Sequence, residues 1–172
     1  YSSSKGGSSN IWIMESDGSG KRKVTEKGGE YPSFSADGKK IVFVSYRDNK
    51  YGDIYTVDVN SGKEVRITSD RNIKLYPSFM NDDSKLIYSS IEFDTNKNGS
   101  LDLQDRSIIR FMDLKNNLSY PLTKYSESSF KAKWLPVLQT RDYKGVIIYT
   151  DITGENINLN IIPETGIIPK KL

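Results

Sequence analysis

The four residues Tyr31-Pro32-Ser33-Phe34 open the run YPSFSADGKKIVFVS, and they return unchanged as Tyr76-Pro77-Ser78-Phe79 at the head of YPSFMNDDSKLIYSS, 45 residues later. A looser third copy, Lys131-Ala132-Lys133-Trp134, follows after a further 55 residues, with Trp134 where the first two carry Phe. Each copy leads through a turn into a run rich in β-branched and aromatic residues: Ile41-Val42-Phe43-Val44-Ser45, Leu86-Ile87-Tyr88-Ser89-Ser90 and Ile147-Ile148-Tyr149-Thr150. Self-similarity at a period of roughly 40–50 residues marks a repeat architecture, so the repeat governs how every other segment is read.

A second pattern keeps step with the first. Ile11-Trp12-Ile13-Met14, Ile54-Tyr55-Thr56-Val57-Asp58 and Ile109-Arg110-Phe111-Met112-Asp113 each lead through a turn to an aliphatic residue and a threonine: Val24-Thr25, Ile67-Thr68 and Leu122-Thr123. Asn158-Leu159-Asn160-Ile161 is a fainter fourth copy. The runs alternate apolar and polar residues over four to six positions and are broken by Asp17-Gly18, Asp37-Gly38 and Ser61-Gly62, the signature of short antiparallel strands joined by tight turns. No segment sustains a helical period.

The fold expected is therefore all-β, a propeller of four-stranded antiparallel blades. Within one unit, strands centre on Phe34, Phe43, Tyr55 and Ile67. A β-sandwich with coincidental spacing is the alternative. Tyr1-Ser2-Ser3 matches Tyr88-Ser89-Ser90, so the chain is expected to open inside a blade. The units are a half blade at 1–27 and blades at 28–71, 72–125 and 126–172, all in one partial propeller domain. Three and a half blades fall short of the ~4 to 8 that close a ring, so a longer polypeptide is expected.

Composition narrows the chemistry. The chain has 172 residues, net charge +3 and neither Cys nor His, which removes a thiol nucleophile, a disulfide frame, the usual zinc sites and a histidine base. Apolar runs of four or five residues are far short of the roughly 18 needed to span a bilayer as a helix. Opposite charges are interleaved, and the only basic clusters, Lys21-Arg22-Lys23 and Lys170-Lys171, read as solvated turns or tails. No nucleic-acid partner and no membrane span are expected.

The phrases YPSFSADGKKIVFVS, YPSFMNDDSKLIYSS and NIWIMESDGSGKRKVT resemble the WD40-like β-propeller repeats of the TolB family. The resemblance implies a propeller of about six blades, secreted or periplasmic, that binds other proteins. The third unit departs from the pattern, since Trp134 begins WLPVL where the family has an aspartate-glycine turn, and about six extra residues precede its next strand.

The second unit is longer than the first because of DTNKNGSLDLQD, residues 94–105. Counting Asp94 as position 1 places Asn96, Asn98, Asp102 and Asp105 at 3, 5, 9 and 12, Gly99 at 6 and the Ser100 carbonyl at 7, the donor spacing of a twelve-residue calcium loop. Leu101 supplies an apolar residue to pin it. Calcium is the expected cofactor, with Asp94, Asn96, Asn98, Ser100, Asp102 and Asp105 as ligands. Three charged ligands predict affinity of ~10⁻⁴ to 10⁻³ M, which suits a periplasmic or extracellular address. A polar hairpin loop without metal is the plainer reading.

The leading functional expectation is a non-catalytic propeller that binds a protein or a cell-surface ligand. Tyr31, Tyr46, Tyr51 and Tyr76 are candidate contact residues, although Tyr31 and Tyr76 also begin strands, where packing alone accounts for an aromatic. The alternative is the propeller of a prolyl oligopeptidase-type serine peptidase, whose catalytic domain this chain would lack, since it has no G-x-S-x-G elbow and no His. A carboxylate-run glycosidase would need a pair such as Asp53 with Asp58 or Glu92 with Asp94. Open blade faces would favour self-association or pairing with further blades.

Overall fold

A computed structural model describes residues 1–4, 9–81, 83–125, 128–140, 143–153 and 156–163; Lys170-Lys171 and the boundary at Ser126 lie outside them. The described residues form four antiparallel sheets. The first holds β1 (Ser2–Ser3), β2 (Asn10–Ile13) and β3 (Arg22–Lys23). The second runs β4 (Glu30–Phe34), β5 (Lys40–Ser45), β6 (Asp53–Asp58) and β7 (Glu64–Arg66) in chain order. The third repeats this with β8 (Ile73–Phe79), β9 (Lys85–Ile91), β10 (Ser107–Asp113) and β11 (Leu118–Pro121), and the fourth holds β12 (Ser128–Thr140), β13 (Tyr143–Thr153) and β14 (Asn156–Pro163). Among these residues no helix is long and apolar enough to cross a membrane.

The repeated threonines explain how each sheet is held closed. Thr25, Thr68 and Thr123 accept hydrogen bonds through Oγ1 from the backbone N–H of Ile11, Ile54 and Ile109, at 2.9, 2.9 and 3.0 Å. Each hydroxyl thus continues the ladder past the end of its outer strand, where a backbone donor would otherwise stay unpaired. The aspartates that end β6 and β10 do equivalent work at the turns: Asp58 accepts from the N–H groups of Asn60 and Ser61, and Asp113 from those of Lys115 and Asn116.

Alternation along the strands gives the second and third sheets two apolar faces, and these faces join the neighbouring sheets. Ile11 meets Ile41, Phe43, Tyr55 and Val57. Val42 and Ile54 meet Phe79, Leu86 and Tyr88, and Ile87, Ile109 and Phe111 meet Ala132 and Ile147. At ~1.5–3 kcal/mol for each large side chain fully buried, these seams supply the main cohesion. One polar seam crosses as well. The fully buried Asp53 of β6 pairs with Arg66 at 2.6 Å and with Lys74 of β8 at 3.5 Å, while Lys74 also reaches Asp70 at 2.7 Å.

In the fourth sheet the extra residues lengthen the strands, and a register shift between Pro136 and Thr140 accommodates them. Trp134 explains the local sequence: it stands opposite Ile147, and a Cβ placed on Gly145, two residues along β13, would lie 2.3 Å from its indole ring, so only glycine fits beneath the ring.

Candidate functional site

The innermost strands β4, β8 and β12 lie side by side. Each carries a register shift at the same repeat position, between Glu30 and Ser33, Leu75 and Ser78, and Phe130 and Lys133. The residue at the shift is left-handed each time: Tyr31 at φ 53°, Tyr76 at 52° and Lys131 at 55°. A non-glycine residue there costs ~1–3 kcal/mol and persists only when its surroundings hold it. The following Pro32 and Pro77 lack an N–H and sit at a bulge without breaking the ladder.

The bulges turn side chains toward one end of the sheets. The Tyr31 and Tyr76 rings meet with centroids 4.6 Å apart and planes 59° apart. With Tyr51 and Leu101 they pack against Ile73, Leu75 and Ile91. Tyr46 joins from the loop after β5, and its phenol is pushed up to about 12 by burial, then by Tyr31 and Glu30. The four tyrosines named from the sequence are therefore brought to one surface.

Two cavities open beside them. One, of about 390 Å³, is lined by Tyr31, Pro32, Tyr76, Pro77, Lys131 and Lys133. The other, about 300 Å³, lies between the 46–51 loop and the insert, lined by Tyr46, Lys50, Tyr51, Ile73, Leu101, Asp102 and Leu103. The two lysines of the first cavity are functional candidates that sequence reasoning passed over. Their signal was present: Lys131 and Lys133 stand where the other two copies carry Tyr and Ser.

In the insert, the side chains singled out as metal ligands turn inward on the loop's own backbone. Asp94 accepts from the N–H groups of Asn98 and Gly99, at 3.1 and 2.8 Å, and Asn96 Oδ1 accepts from the same Asn98 N–H at 3.0 Å. Asn98 Oδ1 accepts from Ser100 N–H. Asp102 accepts from Gln104 N–H and from the Asn98 side-chain amide. Asp105, buried, accepts from the N–H groups of Thr95, Asn96 and Asp102, and these backbone donors, Asp102 foremost, hold its carboxyl below the usual range. Gly99 at φ 85° makes the turn a side chain would resist.

Among the described residues no three carboxylates converge into a ready metal cage. The donor chemistry nevertheless fits a hard cation, because the set is all oxygen and carboxylate oxygens keep further lone pairs after accepting one N–H. The carboxylate pairs considered for glycoside hydrolysis are not arranged for it. Asp53 and Asp58 stand at opposite ends of β6, the first enclosed in its ion pairs and the second capping a turn. Glu92 is occupied by Arg110 and the Tyr125 hydroxyl, at 2.7 and 2.9 Å.

Residues 1–130 match the family model described as the TolB beta propeller domain. A curated relative, "Tol-Pal system protein TolB" of Francisella tularensis subsp. mediasiatica, is 40% identical over 55 residues, which cover 32% of this chain and 12% of that protein. The crystal structure of TolB from Acinetobacter baumannii superposes with a TM-score of 0.70 at 22% identity, covering 91% of this chain and 35% of that one. The tricorn protease superposes with a TM-score of 0.56 at 13% identity, over 91% of this chain and 16% of the protease, a likeness of fold.

Proposed function

The chain belongs to the TolB beta-propeller family, and from that premise we propose that it is a non-catalytic binding propeller whose protein partner docks on the tyrosine-lined end of the inner strands. The observation that carries this reading is the gathering of Tyr31, Tyr46, Tyr51 and Tyr76 from two sheets around adjoining cavities. Tyr is enriched where proteins meet, since it offers a large apolar ring with a polar tip at little conformational cost. The strained bulges favour function over packing, because a relaxed strand would bury an aromatic without the left-handed φ.

The Tol-Pal name of the relative supports a periplasmic or extracellular address. The insert agrees with that address if it takes calcium, with Asp94, Asn96, Asn98, Asp102 and Asp105 contributing side-chain oxygens and Ser100 its carbonyl. A bound divalent cation would supply positive charge that ties the two limbs of the loop together.

The test is a selection of random twelve-residue peptides on the folded protein, with affinities measured by calorimetry. Replacing both Tyr31 and Tyr76 by Ala should weaken the selected peptides at least tenfold, while Val65→Ala on the outer strand should leave them unchanged. Peptides that bind the tyrosine-stripped protein equally well would refute the reading. The likeness to the tricorn protease favours a second reading, a peptidase propeller. Labelling of the native polypeptide by a fluorophosphonate serine probe would support it.

A further inference from the structure

We infer that Lys131 and Lys133 form a carboxylate-binding subsite in the tyrosine-walled cavity, so that the partner segment received there is acidic. The inference rests on the protein-binding reading above and names the chemistry of its partner.

Position is the first argument. The repeat places a phenol and a hydroxyl in the first two blades, Tyr31 with Ser33 and Tyr76 with Ser78, and two ammonium groups in the third. Both lysines line the 390 Å³ cavity with the two tyrosines and two prolines. That volume lies within the ~300–1,000 Å³ of ligand pockets, and its mixture of apolar walls and a few fixed polar groups is what such pockets use for orientation.

Preorganisation is the second. Lys133 Nζ donates to Ser33 Oγ at 3.1 Å and to Ser78 Oγ at 3.3 Å, so one ammonium from β12 is held by hydroxyls from β4 and β8. An ammonium has three donors, and two serines leave one for a ligand. Lys131 Nζ stands 5.3 Å from the centroid of the Tyr76 ring. Partial desolvation lowers the Lys133 pKa, as expected for a cation set among apolar walls.

Charge balance is the third. Among the described residues neither ammonium has a carboxylate within ion-pair distance, whereas Arg47, Arg66, Lys74 and Arg110 all do. Glu30, which precedes Tyr31 on β4, lines a neighbouring cavity with Lys27 and Arg47. A peptide carboxylate would gain charge-assisted hydrogen bonds that no carboxylate among the described residues takes up.

The experiment is a titration of protein labelled with ¹³C at the lysine ε carbons, using acetylated and amidated tetraglutamate with tetraglutamine as control. Tetraglutamate should shift the Lys131 and Lys133 signals and bind at least tenfold more tightly than tetraglutamine, with affinity falling as salt rises. The double variant Lys131→Tyr and Lys133→Ser restores what the first two blades carry, so it should fold, and it should lose at least tenfold in tetraglutamate affinity. Equal binding by that variant, shifts spread over other lysines, or no binding at all would overturn the inference. Acetate or inorganic phosphate binding as tightly as tetraglutamate would also overturn it, because the subsite would then take any anion. Selected peptides that need Tyr31 and Tyr76 but ignore the lysine variant would sink the acidic subsite alone. Peptides indifferent to both variants would sink the protein-binding reading itself.

Discussion

Thr68 carries a disproportionate share of its sheet through one hydroxyl. It accepts from Ile54 N–H at 2.9 Å and donates to the buried Asp53 at 3.1 Å. Thr68→Val keeps the shape and removes both bonds, leaving a buried N–H unpaired, so it should cost about 1–3 kcal/mol in chemical denaturation. A second residue-scale expectation concerns pH. Tyr46 is held neutral chiefly by burial, and Tyr55 by burial and then by its hydrogen bond to Asp48, each to about 12. The folded state therefore favours the neutral phenols. Their contribution to stability is complete below the ordinary value of ~10 and is lost as pH rises toward about 12. Absorbance at 295 nm should show a late ionisation phase as pH rises toward about 12, and Tyr55→Phe, at a residue only 4% exposed, should remove the larger part of it.

At the scale of elements, strands and turns were legible and the bulges were not. Alternating Ile, Val, Phe and Tyr, with Asp-Gly and Ser-Gly between them, announces short antiparallel strands because period-two alternation suits a pleated sheet. The left-handed φ of Tyr31 and Tyr76 leaves no such trace, since nothing local demands it in a residue other than glycine. The lysines of the third blade were visible only as a departure from the repeat, and their meaning depends on which strands stand beside them. The insert could be recognised from its oxygen spacing and Leu101 as the residue that pins it, while the surface it meets, Tyr51 and Ile73, is tertiary and had no sequence signal. For this element, 10 mM calcium acting on a site of ~1 mM affinity should stabilise by roughly 1.4 kcal/mol. For a chain of this size that is a rise in Tm of about 3–6 °C. Asp105→Ala should abolish the rise, and an unchanged melting temperature in the parent protein would show that the insert takes no calcium.

For the whole molecule, cohesion comes from sheet faces, and among the described residues the fourth sheet exposes apolar side chains on β14. In the second and third sheets, Val42 with Ile54 and Ile87 with Ile109 are buried against the next sheet. In the fourth sheet Ile157, Leu159 and Ile161 are 71%, 69% and 61% exposed, and they stand opposite Ile152, Thr150 and Ile148. A contiguous apolar surface of this kind drives association. Leu159→Lys with Ile161→Lys should lower the average mass seen by light scattering at high concentration, with little change in Tm. A monodisperse monomer in the parent protein would show that the exposed face does not associate. The fold thus offers two surfaces of different character, an apolar sheet face and a tyrosine-lined end with lysines beside it, and the proposed recognition lies at the second. Amide chemical-shift mapping of a selected peptide on labelled protein decides between them most directly. Perturbations should cluster at Tyr31, Tyr46, Tyr76 and Lys131. A cluster along β14 instead would contradict the proposed site.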